Sequence, residues 1–297
     1  MADHAQSSAD AASGCPAWCW ALLAVLLWAG APADAAPTVI VERLPNTLER
    51  FELVEVPAGR VVLDDPRHPN QPIAVSLAPF YLSRTEVRWD EFLVWVYGLD
   101  RHEVVRVTGG QDDACIVPTI LQGTLNLSYG SHGYPVNMPS SGLCVEYCRW
   151  LTARTGHHYR LPTEAEWLWA CLGGAPERAY SSAELDAVAW YGGKMIKPTR
   201  LPAGPGPMPV GTMQPNGYGL FDMLGNVPEW CVRVDGTLAA AGGGWRDPAE
   251  QVQPRARESF TPNWQRSGPM RRRSDYWSRD ADWVGLRVLR EMDPPQP

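Results

Sequence analysis

The sequence predicts a loop-rich fold that mixes strands and helices around one large core, and three observations predict it. Of 297 residues, 27 are Gly and 28 are Pro, close to a fifth of the chain. Both interrupt regular elements, which argues against a helical bundle or coiled coil. Trp outnumbers Phe by 14 to 5, which suits large rings packed under irregular backbone. Hydrophobic residues make up 45% of the chain, enough to bury a core and to exclude global disorder.

The elements follow in chain order. Residues 1–35 read as an export signal. An apolar run at 17–28 precedes Ala33-Asp34-Ala35, a small-x-small cleavage pattern. The run is shorter than the ~20 residues of a membrane-spanning helix, so no stable span is expected after cleavage. No Lys or Arg precedes Arg43, so the usual cationic start is missing and an uncleaved anchor is the alternative. Residues 36–49 read as a connecting segment, 50–291 as the domain and 292–297 as a tail. Within the domain, 51–62 alternates apolar and polar residues on both sides of Pro57-Ala58-Gly59 and predicts a hairpin. Residues 73–82 predict a further strand. Trp89, Phe92, Leu93 and Val96 fall at helical spacing, whereas 98–139 shows turn signals and no period.

A second helix is predicted over 141–154, with Leu143, Tyr147, Cys148 and Leu151 on one face and Gly156 as its stop. The third begins at a capping box, Thr163 with Glu166, and ends at Gly173-Gly174. From there to about 217 the chain reads as loop. No internal repeat is visible.

Charge and cysteine usage narrow the function. The formal net charge is −7, and 26 cations against 30 acids (−4) after removal of residues 1–35. That balance argues against general nucleic-acid binding, which needs a basic footprint. The run Arg271–Arg273 sits among acids and reads as a solvated loop. Cys115, Cys144, Cys148, Cys171 and Cys231 follow the signal; an odd number leaves at least one thiol unpaired within the chain. No CxxC pair exists, and a zinc site is not expected. His157-His158 reads as a surface turn, and Asn126-Leu127-Ser128 is a glycosylation sequon by pattern alone.

Five strings in order carry more information: FYLSRTEV (80–87), YRLPTEAEW (159–167), NGYGLFDMLGNVPEW (216–230), GGGWRD (242–247) and GLRV (285–288). Together they resemble the formylglycine-generating enzyme family, also called the sulfatase-modifying factor domain. The resemblance implies an α+β fold, C-type-lectin-like, in a single domain with much irregular structure. It implies calcium held by Asp222 and Glu229 through carboxylates and by Gly225 and Val227 through backbone carbonyls; hard oxygen ligands around a tight turn suit that ion. The alternative is that Asp222 and Glu229 cap local turns without metal. The family's other calcium loop has no match in 191–209.

The oxidases of the family hold copper with two cysteines after a Gly-Gly-Ser motif. Here Gly244 stands at the Ser position, Asp247 at the first Cys and Val252 at the second, and no cysteine follows Cys231. Soft sulfur selects Cu(I), and neither replacement supplies it, so copper is not expected and no catalytic residue is assigned. Cys148 and Cys171 resemble positions that form disulfides in some members, with partners this chain lacks. A bridge among Cys144, Cys148, Cys171 and Cys231, or plain buried thiols, stay open.

Trp245, Arg246 and Asp247 occupy the family's active-site position. They read either as a groove for a protein, glycan or small-molecule ligand, or as an Arg–Asp pair with a Trp lid. Three functions compete: an exported, calcium-stabilised binding or accessory domain; an enzyme of different chemistry on the same scaffold; and a formylglycine-generating oxidase acting on a sulfatase cysteine. A concave site at Trp245–Asp247 with a second titratable group converging on it would favour the second over the first.

Overall fold

A computed structural model describes residues 36–100, 129–137, 139–192, 206–265 and 281–293. The export signal, Cys115, the sequon and Arg271–Arg273 lie outside the described residues. The strands are β1 (Val39–Arg43), β2 (Arg50–Val56), β3 (Gly59–Asp65), β4 (His68–Leu77), β5 (Phe80–Ser83), β6 (Tyr159–Arg160), β7 (Glu229–Val232), β8 (Leu238–Ala241), β9 (Arg257–Ser259) and β10 (Leu289–Glu291). The helices are α1 (Trp89–Tyr97), α2 (Ser141–Thr155), α3 (Glu164–Leu172) and α4 (Ser182–Val188).

The central sheet has five strands in the order β1-β2-β5-β10-β6, with antiparallel pairing throughout. β10, from the end of the chain, enters between β5 and β6. Strand alternation splits its side chains between two cores. Phe51 and Leu53 of β2 join the cluster under α1 and α2, with Trp89, Phe92, Tyr147 and Leu151. Val54 and Val56 join the cluster around α3, with Trp167, Leu168 and Leu224. The sheet is therefore buried on both faces. Residues from Pro37 onward form one compact unit.

Three expectations are corrected. Residues 36–49 are not merely a connection, because β1 lies there and pairs along its length with β2. Residues 51–62 do not form a hairpin. Both edges of β2 are taken, by β1 and β5, so β3 leaves the sheet and pairs with β4 instead. The stretch 73–82 is two strands in two sheets, broken at Ala78-Pro79, where Pro lacks the amide a ladder needs.

The helices follow their local signals. Ser140 caps α2 by accepting from the Leu143 amide, and Gly156 closes it in the left-handed region at φ 79°. Thr163 and Glu166 form the reciprocal capping box of α3, and Gly173 ends that helix at φ 58°. Arg160 clamps Glu166 with two guanidinium nitrogens at 2.8 and 2.7 Å. All nine residues of α3 are buried, which explains its two Trp. α4 lies where loop was expected, yet it too carries a capping box, Ser181 with Glu184.

Candidate functional site

Two neighbouring regions hold the motif residues: a buried ionic cluster under the 219–230 turn, and the surface loop 242–247 beside it. The cluster centres on Arg287, which is fully buried. Its Nε donates to both Glu229 carboxylate oxygens at 3.0 Å, and its NH2 lies 2.8 Å from Oε1. NH1 donates to Ser83 O at 2.6 Å and NH2 to Phe221 O at 2.7 Å. The Trp167 indole donates to Glu229 Oε2 at 2.7 Å. One guanidinium therefore joins the end of β5, the 219–230 turn, β7 and the approach to β10.

Asp222 and Glu86 complete the cluster. Asp222 Oδ2 accepts from the Gly211 amide at 2.6 Å, and Glu86 Oε1 accepts from Asn226 Nδ2 at 3.0 Å. Asp222 Oδ1 and Glu86 Oε2 are buried and meet no donor among the described residues. Burial raises both carboxyls, Asp222 to about 6 and Glu86 well above its ordinary range. The structure thus places Asp222 and Glu229 around one guanidinium, with Gly225 in the turn between them at φ 79°. The donor set fits a hard cation at Asp222, whose free oxygen is the right chemistry. It does not fit at Glu229, whose two oxygens already serve Arg287 and Trp167. Among the described residues, no three His, Cys, Asp or Glu side chains group for a metal.

In the surface loop, Gly242 and Gly243 have φ 93° and 68° and lie against Trp167 and Val252 with no room for a side chain. The Trp245 amide donates to Asn226 O at 2.7 Å, which ties the loop to the buried cluster. The Trp245 ring packs at 6.0 Å from Tyr129, and its indole N–H is buried without an acceptor among the described residues. Asp247 closes a tight turn. Its amide donates to Gly244 O at 3.0 Å, and its Oδ2 accepts from Gly244 N at 2.8 Å. Burial pushes its carboxyl up.

Arg246 pairs with Asp247, though it lies closer to other partners. Its guanidinium lies 3.1 Å from the centre of the Trp283 ring and donates to Glu258 at 3.2 Å, while the contact to Asp247 is 3.7 Å. Beside the loop is a concavity of about 300 Å³, lined by Asp247, Glu250, Gln251, Arg257 and Glu258. A larger cleft of about 430 Å³ lies elsewhere, at Arg50, Arg84 and Arg88, and is lined by none of Asp222, Gly225, Val227, Glu229 and Trp245–Asp247. There Arg84 and Arg88 are paired with Glu52 and Glu91.

The cysteines are not at either site. Cys144, Cys148, Cys171 and Cys231 are buried free thiols, so no bridge joins these four. Burial pushes Cys148, Cys171 and Cys231 up to about 12, away from the thiolate a copper ligand needs. Val252 is wholly buried in the α3 core. His157 and His158 lie at the surface and face Asp293 and Glu291, each at 3.0 Å.

Sequence reasoning did not single out Glu86, Arg287, Asn226, Glu250 or Glu258. Glu86 and Arg287 did carry a signal, since each is a charged residue inside a motif string (RTEV and GLRV) with apolar neighbours.

Fold and site together define a domain built around paired Arg–carboxylate anchors and glycine-rich turns. Comparison with known proteins assigns it: residues 41–292 match the sulfatase-modifying factor enzyme 1-like domain, and the chain belongs to that family. A formylglycine-generating enzyme of Thermomonospora curvata is 31% identical over 153 residues, covering 49% of this chain and 48% of that protein. An inactive C-alpha-formylglycine-generating enzyme 2 of Bos taurus is 36% identical over 102 residues, covering 33% and 32%. The matches thus span a third to a half of these relatives. The solved structure of Treponema denticola variable protein 1 has a TM-score of 0.58 at 20% identity, over 86% of this chain and all of that one, and shares the fold.

Proposed function

We propose that this chain is an exported member of the family without the copper oxidase: a calcium-stabilised binding or accessory domain. Its ligand is a protein, glycan or small molecule met at the Trp245–Asp247 loop. The observation that carries the reading is the pair of residues at the oxidase's cysteine positions. Asp247 is a hard oxygen donor tied into a turn by Gly244, and Val252 is an apolar core residue. Together they offer Cu(I) no sulfur. Calcium, when bound, would neutralise excess carboxylate under the 219–230 turn and hold it shut. Asp222 and the carbonyls of Gly225 and Val227 are its expected ligands.

The test is copper. The purified chain, offered Cu(I) against a competing chelator, is expected to hold none and to leave a sulfatase-type cysteine peptide unoxidised. One tightly held Cu(I) per chain, or conversion of the peptide to the aldehyde, would overturn the reading. A second reading has its own observation. The concavity at Asp247 brings Glu250 and Glu258 beside a carboxyl whose burial favours its protonated form, which suits acid–base chemistry on the same scaffold. Asp247→Asn separates the two: loss of turnover with ligand binding retained supports an enzyme, and loss of binding alone supports the binding domain.

A further inference from the structure

The resemblance pairs Asp222 with Glu229, but the tertiary structure pairs it with Glu86. We propose that Glu86 and Asp222 are the two carboxylates of a divalent-cation site, and that Glu229 is withheld from it by Arg287. This rests on the calcium reading above and changes which residues carry it.

Three observations converge. First, Glu86 and Asp222 sit on segments joined by the Phe221 amide to Arg84 O, at 1% and 2% exposure. Each spends one oxygen on a protein donor, Asn226 Nδ2 or the Gly211 amide, and leaves the other without any among the described residues. Buried polar atoms are rarely left so, and two such oxygens on adjoining carboxyls mark a place for a positive species.

Second, the nearby cation is used up. Arg287 directs its nitrogens to Glu229, Ser83 O and Phe221 O, and donates no hydrogen bond to Glu86 or Asp222. With all three carboxylates ionised, the cluster of Glu86, Asp222, Glu229 and Arg287 carries a formal charge of −2. A divalent ion cancels that charge.

Third, the segments are fixed before any ion arrives. The Phe221 amide donates to Arg84 O at 2.9 Å, and the Val87 amide to Leu286 O at 3.0 Å. Asn226, itself in the left-handed region at φ 50°, holds Glu86 in place.

The experiment uses the full chain, stripped with EDTA and dialysed, with calcium chloride as the titrant. Calcium binding is read by isothermal titration and unfolding by differential scanning fluorimetry. Wild type is expected to take up one calcium with a rise in Tm. Glu86→Gln keeps the shape and the acceptor for Asn226 but removes the charge. It is expected to weaken calcium at least tenfold and abolish the Tm rise, while its calcium-free Tm matches or exceeds wild type. A merely structural role for Glu86 would lower that calcium-free Tm. If Glu86→Gln binds calcium as wild type does, the assignment of Glu86 fails and the calcium reading stands. If wild type binds none, both fail. Should Glu86→Gln not accumulate, Glu86→Asp poses the same question, with the same weakening expected.

Discussion

Removing Arg287 tests the physical account of the core most directly. In Arg287→Met the side chain keeps much of its bulk, but the buried Glu229 loses its charge partner. Breaking a buried pair from one side costs about 3–5 kcal/mol. Ser83 O and Phe221 O also lose charged donors, and a buried acceptor left bare costs about 1–3 kcal/mol. These costs overlap because all three acceptors share one guanidinium, so the expected loss is about 5 kcal/mol. That is comparable with the whole stability of a marginal domain, about 5–15 kcal/mol. For a domain of this size it corresponds to a fall in Tm of roughly 10–20 °C. Arg287→Lys offers a single ammonium for three acceptors and should lose about half as much. Urea unfolding of the three proteins reads the order directly. Arg287→Met within about 1 kcal/mol of wild type would refute the reasoning, since Glu229 would then be neutralised by something other than this pair.

Two further predictions concern pH. Glu91 is buried beside Arg88, and burial raises it from 4.5 to about 7 despite that contact. The folded state then holds more protons than the unfolded state between those values, so Glu91 makes stability fall as pH rises through that window, by about 3 kcal/mol in full; Glu91→Gln should flatten the slope, and an unchanged slope would count against it. Glu184 shows the opposite sign, because the Ser181 hydroxyl and amide hold it at about 2. Its help to α4 is present above 4.5 and fades as pH falls toward 2, so amides of α4 should lose protection there in hydrogen exchange, and Ser181→Ala should weaken that dependence.

The helices were legible because their signals are local. Thr163 with Glu166, and Ser140 ahead of Leu143, act within one turn. α4 shows the same signal, in a stretch too short and too poor in apolar period to attract attention. The strands were read less well. Alternation around Pro57-Ala58 located β2 and β3 but assigned them to each other, since a pattern along the chain does not say which edge is already occupied. At the candidate site, Trp245, Arg246 and Asp247 were found by motif. Their partners Glu258, Trp283 and Tyr129 come from distant segments that no spacing rule connects.

Composition by itself determined that the fold is loop-built and rich in buried Trp. The order of motifs determined the family, and the absence of cysteine after Cys231 determined what the copper positions lack. Only the tertiary structure decided which acid faces which cation. Arg287 meets Glu229 across 58 residues of sequence, and Asn226 meets Glu86 across 140. Backbone caps and turns are satisfied within a few residues, so they are written locally. A buried charge is satisfied by whatever the fold brings to it, and that depends on the packing of every segment between.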